Sequence, residues 1–146
     1  MQEFLNSQNF TIYFLILIAM KFSIETYLKI RNLASIKENS SEIPERFKNV
    51  VTKEEYTKSI NYNSDLLKFS IITSLFSVGV LLMFTLGGLL NSLTEIVIGV
   101  TSSNVIGAVL LGLLLIIISE IIELPIAIYS TFVIEERHGF NKTTKK

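Results

Sequence analysis

The apolar residues of this chain fall into long runs separated by polar stretches, not into the short alternating or amphipathic patterns of a soluble core. A first run, roughly Asn9 to Leu28, carries Phe10, Ile12, Phe14, Leu15, Ile16, Leu17, Ile18 and Phe22. At about 1.5 Å per residue it is long enough to cross about 30 Å of hydrocarbon as a helix. A second run, Lys68 to Leu90, ends in Gly87-Gly88, residues that membrane helices tolerate and that allow close helix contact. The third begins near Asn104, is unbroken from Val105 to Ile118, and continues past Glu120, Glu123 and Pro125 to about Ile134. Pro125 removes a backbone donor and is expected to bend that helix. Ala108 and Gly112, four apart, form a small-residue pair that can admit a neighbouring helix. These runs predict an all-α integral membrane protein with three transmembrane helices over 9–28, 68–90 and 104–134.

The segments between the runs are polar. Residues 29–67 alternate in charge, and Pro44 suits the first turn of a helix, where a missing N–H is harmless. Thr52-Lys53-Glu54-Glu55 fits a capping box, the Thr oxygen accepting the amide of Glu55 and the Glu55 carboxylate reaching back. Tyr56, Ile60 and Leu67 then suggest an amphipathic helix on the cytoplasmic side, leading into the second span. Residues 91–103 read as a connection, with Asn91 to Glu95 as a short link or the start of an interfacial segment and Ile96 to Val100 as part of an interfacial or re-entrant turn.

Charge sets an orientation. Lys29, Arg31, Lys37, Arg46, Lys48, Lys53 and Lys58 lie in the 29–67 segment, and Arg137, Lys142, Lys145 and Lys146 in the tail. The segment before the first span and the connection between the second and third have no Lys or Arg. Three crossings with the N-terminus outside and the C-terminus in the cytoplasm satisfy the positive-inside rule. Residues 1–9 contain only Glu3 as a charge, so the first run reads as a retained helix and not a cleaved signal peptide. Formal net charge is +0, which gives no reason to expect a nucleic-acid partner. With Cys 0, thiol catalysis and thiolate metal sites are excluded in this chain.

Few residues could carry chemistry. Lys21 and Glu25 share a face of the first span; a snorkelling ion pair is the favoured reading over a polar intramembrane chamber. Glu120 and Glu123, three apart, belong either to a polar cavity or ion-pair network or to headgroup water at the membrane edge. His138 is the one histidine, and H-E-x-x-H zinc chemistry needs two. Triads lack partners for the same reason, and no Gly-rich phosphate loop occurs. Tyr129 and Phe132 suit an interfacial aromatic belt. The residues alone make no complete active site.

The stretch from Leu124 to Thr144 runs L-P, then Y-x-x-F, then V-I-E-E-R-H-G-F-N, through Pro125, Tyr129, Phe132, Glu135, Glu136, Arg137, Gly139, Phe140 and Asn141. It resembles the hallmark segment of the type 1 CAAX prenyl proteases. Tyr27-Leu28-Lys29-Ile30-Arg31 and the Tyr62 to Phe69 stretch resemble the end of that family's first membrane helix and the entry to its second. The resemblance implies a multi-spanning helical protein enclosing an intramembrane chamber, in which zinc held by H-E-x-x-H and a distant Glu activates water for peptide hydrolysis. That motif lies well downstream of the hallmark segment in such proteins. This chain is therefore expected to be the N-terminal membrane region of a zinc endopeptidase, inactive alone, with zinc only in the complete protein. Its implied partners are the bilayer, the remaining protease region, and a peptide or membrane-protein substrate. A bacterial inner membrane is the first expectation for location, the ER membrane if the source is eukaryotic. The rival readings are a truncated paralogue acting as a membrane scaffold and a transporter subunit. Within the hallmark, Gly139 is expected to end the helix with a left-handed turn, and Phe140 and Asn141 to pin the next segment.

Overall fold

The structure, a computed structural model, describes residues 6–40 and 42–143, apart from the side chains of Ser7 and Arg46. Glu3, Thr144, Lys145 and Lys146 lie outside the described residues. The chain divides between Val78 and Gly79 into two compact units. Among the described residues all regular structure is helical.

In the first unit, helix α1 runs Ser7–Glu38, 32 residues, well beyond the expected end of the first span at Leu28. The Asn6 side chain caps its N-terminus by accepting the Gln8 amide at 2.7 Å. At the other end the Asn39 amide and side chain donate to the Ser35 carbonyl at 3.0 and 2.8 Å, and Lys37 lies in the last turn, where a cation suits the helix dipole. Pro44 starts no α-helix. It precedes a single 3₁₀ turn, Glu45–Phe47, closed by the Phe47 amide on the Pro44 carbonyl at 2.8 Å. A longer helix would have little apolar surface to bury there.

Helix α2 runs Lys53–Thr85, 33 residues. Its N-terminus is the expected capping box: the Glu55 amide donates to Thr52 Oγ1 at 3.2 Å, and the Thr52 amide donates to Glu55 Oε2 at 2.9 Å. This turn lies in the polar segment, and the Thr52 amide, then its hydroxyl, hold the Glu55 carboxyl below its ordinary pKa. The helix expected around Tyr56 to Leu67 forms the first part of α2 and leads directly into the second span. Neither Gly nor Pro interrupts the chain from Lys53 to Val78, so the polar stretch and the apolar run form one continuous helix. Replacing Thr52 by Ala should loosen the start of α2 by about 1 kcal/mol. Faster amide exchange at Glu54 and Glu55 in micelles would report it, and unchanged exchange would refute the cap's contribution.

In the second unit, Gly87-Gly88 serves as a turn, not as a helix contact. The Leu86 and Gly87 amides share the Leu82 carbonyl at 2.8 and 2.9 Å, and Gly88 takes φ 78°, a conformation that favours glycine. The connection expected at 91–103 is largely a helix, α3, Leu89–Val100. Its 12 residues are too short to cross a bilayer. Helix α4, Asn104–Tyr129, begins with the Ser103 hydroxyl accepting the Ile106 amide at 3.5 Å. Helices α3 and α4 pack around Val97, 5% exposed. The packing on α4 differs from the expected pair. Gly107 faces α3, where a Cβ would meet Val97 Cγ1 at 3.6 Å, and Ala108 lines the same groove, whereas Gly112 opens to free space. Three stretches, Gln8–Glu38, Lys53–Thr85 and Asn104–Glu135, are long and apolar enough to cross a membrane.

Candidate functional site

Helix α4 carries the first hallmark residues and does not end at Pro125, which lies inside it. Five residues later it widens: Ser130–Glu135 is a π-helix, which includes Phe132 and Glu135 and follows directly on Tyr129. Insertions of this kind occur often at functional positions because they shift side chains around the helix axis. Ile134, inside the widened turn, is 3% exposed and is, with Val97, one of two buried apolar residues among those described.

The helix then ends on Gly139, φ 63°. The Gly139 amide donates to the Glu136 carbonyl at 2.9 Å and the Phe140 amide to the Glu135 carbonyl at 2.9 Å. This pair of bonds is a Schellman motif, and it satisfies carbonyls that would otherwise be orphaned. Asn141 closes the arrangement. Its amide also reaches the Glu135 carbonyl at 3.4 Å, its side chain donates to Glu136 Oε2 at 2.8 Å, and its Oδ1 accepts the Thr143 amide at 2.7 Å. Tyr129, Phe132, Arg137, His138 and Phe140 each engage a neighbouring group. The hallmark residues therefore form a tightly bonded helix end, not a set of converging reactive side chains.

The other candidates stand apart from it. Lys21 and Glu25 pair at 2.8 Å on an exposed face of α1. Glu120 and Glu123 are exposed on α4, about 24 and 29 Å along the helix from Asn104 at about 1.5 Å per residue. Among the described residues neither forms an ion pair. Nor do any three His, Asp or Glu side chains converge where they could hold a metal ion. A zinc ion does not fit the described residues.

One contact escaped the sequence reading. Lys29 entered only the charge count and the resemblance at Tyr27–Arg31, yet its ammonium is partly buried against α2, donating to the Ser70 carbonyl at 3.0 Å and to the Ser74 hydroxyl. Thr26, one turn earlier on α1, keeps a buried hydroxyl without a partner. The available signal was the hydroxyl stripe Ser70, Thr73, Ser74, Ser77 on one face of an otherwise apolar helix.

A chain with three long apolar helices, two of them with polar ends outside the apolar run, is a helical integral membrane protein. Residues 32–146 match the family described as CAAX prenyl protease N-terminal, five membrane helices, and the chain belongs to that family. CAAX prenyl protease 1 of Saccharomyces cerevisiae is 30% identical over 135 residues, which cover 85% of this chain and 29% of the yeast protein. A CAAX prenyl protease 1 homolog of Oryza sativa subsp. japonica is 33% identical over 132 residues, covering 86% of this chain and 31% of the rice protein. One from Caenorhabditis elegans is 32% identical over 120 residues, covering 82% and 26%. The chain thus spans less than a third of the length of the curated relatives it matches. No solved structure gives a significant match.

Proposed function

We propose that this chain is the N-terminal membrane portion of a zinc-dependent endopeptidase that cleaves prenylated CAAX proteins or membrane proteins when complete, and that it is not catalytic by itself. The observation that carries this reading is the bonded helix end at Glu135–Asn141, coincident with the family match over residues 32–146. Zinc and its ligands would belong to the remainder of the complete protein, because H-E-x-x-H chemistry needs two histidines and this sequence has His138 alone. The role of the helix end would be to position the protease region: a chain stopped by a Schellman turn and pinned by Asn141 leaves α4 in a defined direction. Tyr129 and Phe132 would anchor this end at the interface, and Arg137 would face the cytoplasm. Glu120 and Glu123, exposed on the same helix, would face water or polar groups of the complete protein, because carboxylates seldom face lipid. The N-terminus would lie outside and the C-terminus in the cytoplasm, in a bacterial inner membrane, or in the ER membrane of a eukaryote.

The test uses the complete gene product, read past the codon for Lys146. Bound zinc and chelator-sensitive cleavage of a prenylated CAAX peptide are the expected results. Arg137→Ala and Asn141→Ala should each lower the yield of folded, active enzyme. Wild-type yield and activity in both variants would remove the positioning role. A reading frame that stops at Lys146 would favour the scaffold reading over the enzyme.

A further inference from the structure

Between α1 and the first half of α2, within the first unit, lies an open cavity of about 340 Å³. The two helices run antiparallel there: Lys29 bonds Ser70, while the Tyr56 hydroxyl donates to the Asn39 carbonyl at 3.1 Å, so the contacts descend one helix as they climb the other. Leu33, Lys37 and Ser40 face the cavity from α1 and the residues after it, at the i, i+4, i+7 spacing of one helix face. Asn61, Ser64 and Lys68 face it from α2 at i, i+3, i+7.

The polar groups are mostly donors. Lys37 forms no ion pair among the described residues, and the Asn61 amide and Ser64 hydroxyl of that set are likewise uncommitted. Lys68 shares its charge with Asp65 at 3.2 Å, three residues back along α2. The Ser40 hydroxyl donates to the Lys37 carbonyl at 2.7 Å and so offers only its lone pairs. Two ammonium groups, the Asn61 amide and the Ser64 hydroxyl, beside the Ser40 and Thr57 hydroxyls that already donate to backbone carbonyls, suit a ligand that carries negative charge and accepts hydrogen bonds. Position along the chain narrows the source. Lys68 opens the apolar run of the second span, which sets the inner end of the cavity at headgroup depth, with Leu33 and Ile60 supplying apolar wall.

We infer that this cavity binds the phosphate headgroup of an anionic phospholipid, with Lys37 and Lys68 as the cations that line it. Basic pockets between membrane helices are a recurrent way of holding such headgroups, at about 1 kcal/mol per Lys near the surface. Lipid binding of this kind is independent of whether the complete protein is a protease.

The full chain in neutral detergent, titrated with phosphatidylglycerol or phosphatidylcholine and followed by native mass spectrometry, tests it. Phosphatidylglycerol should bind more tightly, and Lys37→Ala and Lys68→Ala should each weaken it about five-fold, about 25-fold together. Lys53→Ala with Lys58→Ala removes the same charge from the same segment outside the cavity, and should leave binding nearly unchanged. The conservative pair Lys37→Arg with Lys68→Arg should retain binding, which separates a lost site from a lost fold. Equal weakening by both alanine pairs would overturn the site in favour of diffuse attraction. Displacement of the lipid by millimolar inorganic phosphate would overturn the lipid as ligand and assign the cavity to the free anion. Equal affinity for phosphatidylcholine would overturn both.

Discussion

Replacing Lys29 by Met is expected to loosen the pairing of α1 with α2 by about 1–2 kcal/mol, a large effect for one residue outside any active site. The Lys29 ammonium makes two bonds to α2, one to the Ser70 carbonyl at 3.0 Å and one to the Ser74 hydroxyl. Hydrogen bonds to a charged group contribute about 1.5–3 kcal/mol in soluble proteins, and those between membrane helices average about 0.6 kcal/mol, since the separated helices find other partners. Lys29 lies where the apolar run meets the polar segment, so its value should fall between those limits. Methionine keeps the length and apolar stem, and removes only the donor. The Ser70 carbonyl keeps the Thr73 and Ser74 hydroxyls as donors at 3.2 and 2.7 Å, so losing the ammonium leaves no orphaned acceptor there. Ser74→Ala should cost less than Lys29→Met because the carbonyl bond survives. Thermal unfolding of the chain in detergent, with helix proximity followed by a spin-label pair on α1 and α2, reads both. Identical stability and spacing in Lys29→Met would show that the contact is incidental.

The second large effect is expected at Gly139. A Cβ in the left-handed region costs about 1–2 kcal/mol, more for a β-branched residue, so Gly139→Ala and then Gly139→Val should destabilise the helix end progressively. The two amides that close the turn on Glu135 and Glu136 would be strained together, and with them the Asn141 contact to Glu136. Gly112→Ala provides the contrast. Gly112 sits within α4 with nothing near its missing Cβ, so alanine there should be neutral or stabilising, by up to about 1 kcal/mol. Measured melting temperatures should therefore move in different directions for the two glycines. If Gly139→Val melts like the wild type, the turn is not what ends the helix.

Hydrophobic pattern and local chemistry made much of this readable in advance. A run such as Val105 to Ile118 declares a membrane helix because nothing else about it can be satisfied in water. The Thr52–Glu55 box and the Gly139 turn were equally legible, since their bonds join residues within a few positions of one another. The hallmark residues were readable as a family resemblance, and the comparisons place the chain in that family. Their physical arrangement was not: a π-helix after Pro125 leaves no periodic mark in so apolar a stretch. Helix α3 was missed because Asn91, Ser92 and Thr94 looked like a connection, although a 12-residue helix forms once Val97 can be buried against Gly107.

By itself, the sequence determined the class of protein, the long helices, and the caps at Thr52 and Gly139, because burial in lipid and short-range hydrogen bonding are properties of consecutive residues. Only the tertiary structure decided which polar groups meet. Lys29 finds Ser70 and Ser74, Lys37 and Lys68 line one cavity, and Gly107 rather than Gly112 receives a neighbour. Each of these depends on the rotation and axial register of one helix against another. That register is set by the sum of many weak side-chain contacts, and no local pattern encodes it.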